Sequence, residues 1–145
     1  MTSLAPALLK AYFDSRYTVC CDSGAVTFHI GGPLPDCLRR PFALVTAWNP
    51  RSAPLDRELN ASRDAALRAQ LDREGWRYLP ARGEGTDGWV EESLAILDIP
   101  LERALKLARQ FDQNAIVWGN GQRSELVLCS GERPPQPEPT PQDAH

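Results

Sequence analysis

Histidine is nearly missing from this chain: two residues, His29 and His145, in 145. The four cysteines, Cys20, Cys21, Cys37 and Cys129, include no C-x-x-C pair, so no zinc constellation can be assembled. With so little histidine, no Ser-His-Asp set is suggested, and a nucleophilic Cys beside His29 has no supporting motif. There is no basic excess either: 16 Lys and Arg stand against 19 Asp and Glu, for a net charge of −3. Nucleic acid and membrane surfaces are therefore not the expected partners. No apolar run approaches the length of a bilayer span. The opening stretch, MTSLAPALLKAYFDS, has no basic segment ahead of a continuous apolar core, which argues against a signal peptide. The expected location is cytoplasmic, where the cysteines read as reduced thiols packing as small apolar groups. Phosphate-loop and dinucleotide fingerprints are also missing. No cofactor and no metal site is expected; the metal alternative is Mg²⁺ held by Glu92, Asp112 and waters.

What is present suits one α+β domain over residues 1–130, with its core at 42–128. Apolar content of 42% is enough for a single core at this length. Leu4, Leu8, Leu9, Tyr12 and Phe13 recur at helical spacing, predicting a helix over 3–14. Residues 18–21 and 25–30 flank Asp22-Ser23-Gly24 as a hairpin. Residues 42–48 form a nearly all-apolar strand, read as buried on both faces. A helix follows, capped by Asp56 and stopped by Gly75, with Leu59, Arg63, Leu67 and Leu71 on one stripe. Strands at 76–81 and 91–97 are joined by the glycine-rich loop 82–88. Pro100 opens a helix ending near Phe111-Asp112-Gln113. A strand at 115–118, a turn at Gly119-Asn120-Gly121 and a strand at 125–128 complete the core. Residues 131–145 are rich in proline and read as a disordered tail.

From residue 42 to 118 the order is strand, helix, strand, strand, helix, strand. That is the split β-α-β arrangement of ferredoxin-like folds, here with an N-terminal helix and hairpin and a C-terminal hairpin strand. Right-handed crossovers place the strands in the order last, first, third, second. One sheet edge then collects Asn49, Asn60, Arg63, the loop after Ala81, the start of 91–97, Gln113 and Asn114. Pro50 biases Asn49 towards an extended conformation.

Several of these residues fall in a recognisable pattern. Thr46-Ala47-Trp48-Asn49-Pro50, Leu55-Asp56 through Asn60 and Arg63 to Leu67, Pro80-Ala81-Arg82-Gly83, Glu91-Glu92-Ser93 and Phe111-Asp112-Gln113-Asn114-Ala115 occur in order. This resembles the uncharacterised bacterial domain-of-unknown-function family three-two-nine-three. That family shows T-A-x-N-P, L-S-x-x-E-N-x-x-R-N-x-x-L, P-A-x-G, E-E-S and F-x-Q-N-A. Here Asp64 replaces the second asparagine of the helix motif and Leu59 its first glutamate; with Asp56 and Leu59 the cap remains but the reciprocal bond of a capping box is lost. The resemblance implies no reaction.

Arg63 on an apolar stripe is the sharpest anomaly, since a buried guanidinium needs acceptors. One reading pairs it with Glu91 or Glu92; another makes it a fork for a phosphate or carboxylate. The expected ligand-binding set is Thr46, Asn49, Asn60, Arg63, Glu92, Ser93, Gln113 and Asn114, around a small anionic or nucleotide-like ligand. The amides serve equally to tie loop backbones. The alternatives are a small hydrolase or transferase with Glu91 or Glu92 as catalytic base, and a protein-interaction domain using the tail or the exposed hairpin edge.

Overall fold

The strand Pro41–Val45 carries apolar side chains on both alternations because both faces of its sheet are covered. The computed structural model describes residues 4–137. In chain order it contains α1 (Pro6–Asp14), β1 (Arg16–Cys21), β2 (Gly24–Phe28), β3 (Pro41–Val45), α2 (Arg57–Glu74), β4 (Tyr78–Glu84), β5 (Val90–Leu97), α3 (Leu101–Gln110), β6 (Ala115–Asn120) and β7 (Ser124–Leu128). Short 3₁₀ turns lie at Asp36–Leu38 and Pro50–Ser52. The architecture is α+β, with one antiparallel sheet ordered β2-β1-β4-β5-β3-β6-β7. Its four central strands, β4-β5-β3-β6, stand in the order expected from the connections.

One face buries Phe42, Leu44, Ala95, Leu97, Val117 and Leu126, with α1 and the segment bearing Ile30, Leu34 and Leu38 packed over it. The other buries Ala43, Val45, Leu94, Ile96, Ile116 and Val127 beneath Leu67 and Leu71 of α2 and Leu105 and Ala108 of α3. Helix α2 begins and ends for local reasons. The Asp56 carboxylate accepts from the Leu59 N–H at 2.8 Å, and Gly75 closes the helix in the left-handed region at φ 80°. Leu59 itself is 52% exposed, so the buried stripe is Asn60, Leu67 and Leu71 with Arg63 beside it, not the leucine series expected.

Three strand ends move, each because a different set of bonds is available. Strand β3 stops at Val45 rather than Trp48: the Thr46 hydroxyl donates to the Glu92 carbonyl at 2.7 Å and accepts from the Trp48 N–H, replacing the ladder. Strand β4 runs through Glu84, into the expected loop, because Arg82, Gly83 and Glu84 pair with both β5 and β1. Strand β6 runs on to Asn120, which pairs with Pro41 and displaces the turn to Gly121-Gln122. Gly119 lies under the Phe42 ring, where a Cβ would stand 2.1 Å from a ring carbon.

The expectation of four reduced thiols is corrected: Cys21 on β1 and Cys37 on the first 3₁₀ turn are joined by a disulfide, which fastens the 29–40 segment to the sheet. Cys20, exposed, and Cys129, buried, are free. Beyond β7 the chain follows the sheet edge. The Gln136 amide donates to the Leu126 carbonyl at 3.0 Å and accepts its N–H at 2.8 Å, while the Glu132 carbonyl accepts the Leu128 N–H. Residues 138–145 of the expected tail lie outside the described residues. Among the described residues, no helix is long and apolar enough to cross a membrane.

Candidate functional site

Between β3 and α2 the chain takes a conformation that non-glycine residues rarely adopt. Asn49, Arg51 and Ser52 have φ of 44°, 52° and 63°, three left-handed residues within four positions. The expected extended Asn49 is therefore corrected. A residue in that region costs on the order of 1–3 kcal/mol and persists only where its surroundings over-determine it. Those surroundings are visible.

Asn60, buried on α2, accepts the Asn49 N–H at 2.9 Å and donates to the Asn49 side-chain oxygen at 2.9 Å and to the Leu55 carbonyl at 3.2 Å. The Asn49 oxygen also takes the Leu55 N–H at 3.0 Å. One turn further along α2, Arg63 Nε donates to the Ala47 carbonyl at 2.6 Å and Nη2 donates to the Phe111 carbonyl, with the guanidinium over the Phe111 ring. From the end of α3, Gln113 donates to the Trp48 carbonyl at 2.9 Å and Asn114 to the Ser52 hydroxyl at 3.1 Å. The Asp112 carbonyl accepts the Arg51 N–H at 2.7 Å. Every one of these bonds ends on residues 47–55 or on the Phe111 carbonyl that Arg63 and Gln113 share.

Thr46, Asn49, Asn60, Arg63, Gln113 and Asn114 are thus brought together at one edge, each holding the turn. The ion pair expected between Arg63 and Glu91 or Glu92 does not form; the carboxylate beside Arg63 is Asp112, at 4.0 Å. Arg63 finds its acceptors in backbone carbonyls instead. Glu91, Glu92 and Ser93 alternate across the sheet. Glu92 shares the face of Leu94 and Ile96, below α2 and α3, and contributes its backbone carbonyl to Thr46. Ser93 is buried on the opposite face, near Tyr12, Tyr17 and Thr46.

Glu91 also takes that opposite face, and it opens into a cleft of ≈ 320 Å³ between α1, the 49–52 turn and the β4–β5 hairpin. Tyr12 and Ala11 of α1, Ser52, Thr86 and Trp89 are among its walls. Glu91 Oε2 accepts from Asn49 Nδ2 at 3.1 Å and, at the long distance of 3.4 Å, from Trp89 Nε1. Burial pushes the Glu91 carboxyl above the ordinary carboxylate value, and these two donors oppose the shift. Burial likewise pushes the Tyr12 phenol up to about 12, with the Glu91 charge adding to the effect and the Ser52 side chain opposing it. The cleft therefore presents a carboxylate displaced towards its neutral form beside a hydroxyl that stays protonated.

Sequence reasoning placed Glu91 at this edge but missed Tyr12, Ser52 and Trp89. Tyr12 looked like an ordinary apolar-face residue of a helix outside the core pattern. The left-handed backbone that turns Ser52 into the cleft leaves no mark beyond Asn49-Pro50.

Residues 45–116 match the model of a family described as Protein of unknown function (DUF3293). The match spans the turn, its ties from α2 and Glu91, and excludes α1. No curated protein and no solved structure matches the chain.

Proposed function

With segment 45–116 a DUF3293 domain, we propose that the protein binds a small organic ligand in the cleft between α1, the 49–52 turn and the β4–β5 hairpin. The observation that carries this reading is Glu91. A desolvated carboxylate whose turn is fixed by side chains from α2 and from the end of α3 is costly to maintain, and a ligand group would use it. The motif residues are then the rigid support of a site rather than its contacts. The order of β3, β4, β5 and β6 supports a ferredoxin-like core, with α1 added as the second wall. Of the ligand classes considered from sequence, the base of a nucleotide-like molecule suits the cleft better than its phosphate, since Arg63 is committed to carbonyls.

Amide NMR spectra recorded against mixtures of metabolites test this, with Ala11→Phe as a plug on the exposed side of α1. A bound compound is expected to shift Ser52, Gly85, Trp89 and Glu91, and the plug is expected to remove those shifts without lowering the melting temperature. At a hundred times its dissociation constant the compound stabilises the fold by about 2.7 kcal/mol. Binding that moves other surfaces, or survives the plug, contradicts the reading. Catalysis at the same place is a second reading, favoured by the raised Glu91 pKa, which brings a general base closer to neutral pH. It requires that Glu91→Gln abolish turnover while ligand still binds.

A further inference from the structure

We propose that the cleft selects a ligand bearing a planar N–H fork, of the guanidinium or amidine type, which sets its donors on the Glu91 carboxylate and its plane against Trp89. This rests on the cleft reading above and adds the chemical class.

The charges come first. Among the described residues the lining carries two carboxylates, Glu91 and Asp87, and no Lys, Arg or His. Three cations adjacent in sequence to lining residues each have a carboxylate outside the lining as their nearest ion-pair partner. Arg16 pairs with Glu84 at 3.4 Å, Lys10 with Asp14 at 2.5 Å, and Arg51 stands 3.9 Å from Asp112. An anion entering here would meet like charge without a partner, whereas a cation would meet Glu91 in a site where water screens it poorly.

Acceptor capacity comes next. A carboxylate offers about four lone-pair sites. Among the described residues both donors to Glu91, Asn49 and Trp89, reach the same oxygen, Oε2, leaving Oε1 to the cleft. A planar fork sets one N–H on Oε1 and the other on Oε2, in place of the long 3.4 Å Trp89 bond, and so uses both oxygens where a single ammonium uses one. Trp89 supplies the third observation. It is 40% exposed at the mouth, and an indole face attracts both flat rings and cations.

Benzamidine, benzamide, benzoate and phenyl phosphate, matched in size, separate the possibilities when titrated against the full chain by amide NMR. Benzamidine is expected to shift Trp89, Glu91 and Ser52, and to bind at least roughly tenfold more tightly than benzoate or phenyl phosphate. Glu91→Gln is expected to weaken benzamidine by roughly 10- to 100-fold, the loss of one charge-assisted pair, and to leave benzamide nearly unchanged. Trp89→Ala, a change at an exposed side chain, is expected to weaken benzamidine and benzamide alike. If benzoate or phenyl phosphate occupies the cleft as tightly as benzamidine, the class is wrong and the site stands. If benzamidine binds elsewhere or not at all, the class is wrong too, and the Ala11→Phe comparison with metabolites decides separately whether the cleft binds anything.

Discussion

An ionised Glu91 works against the fold, and this gives the residue a signature that needs no ligand. Its folded pKa lies above the unfolded one, so the native state holds the proton more tightly. Stability from this group is greatest below the unfolded pKa. It declines as pH rises from there through the folded value, after which the full cost of burying the charge remains. Glu91→Gln keeps an acceptor for Asn49 and removes that cost. Thermal melts of the two proteins are expected to coincide near pH 4 and to diverge as pH rises, with the variant the more stable at pH 7. A variant that melts lower at pH 7 means that the charge is stabilising where it stands. The position of Glu91 at this edge was legible from strand order. Its direction was not, because Glu91 and Glu92 alternate and the sequence does not say which face α1 covers.

Helix α2 shows how local rules and distant bonds differ in visibility. Its cap at Asp56 and stop at Gly75 could be read off, since each depends on a few neighbouring residues. Arg63 stands out on an apolar stripe, but the stripe does not say which acceptors it meets. Charge complementarity suggested a glutamate, while the true acceptors are carbonyls of Ala47 and Phe111, which no side-chain pattern marks. Asn60 and Gln113 gathered where topology placed them, for the same reason that the strand order was readable. Arg63→Lys tests the clamp. An ammonium cannot repeat the two-carbonyl geometry, and each lost charge-assisted bond contributes about 1.5–3 kcal/mol. Urea unfolding is expected to show a loss of about 2–4 kcal/mol at unchanged m-value. The amide signals of residues 47–55 are expected to move more than those of β7. A loss below about 0.5 kcal/mol, the level of an ordinary surface change, removes the clamp from the account.

Across the whole molecule the sheet has two edges, β2 and β7, and the chain treats them differently. The composition of residues 131–145 announced a tail without core-forming power, but nothing in it announced that Gln136 would satisfy the outward backbone of Leu126. Ending the chain after Ser130 uncovers N–H groups of Leu126 and Leu128, and such an edge recruits another strand. Light scattering after gel filtration is expected to find the shortened chain associating as concentration rises, and the full chain less so; equal masses at all concentrations argue that the edge needs no cover. The cleft, too, is built unequally. Its floor is bolted to α2 and to the end of α3, whereas α1 contributes no fully buried residue. The free energy needed to lift α1 alone is accordingly smaller than that of global unfolding. Its amides should trade hydrogen for deuterium soonest among the three helices described, and occupancy of the cleft would be recorded there, as slowed exchange in a wall held by few buried contacts.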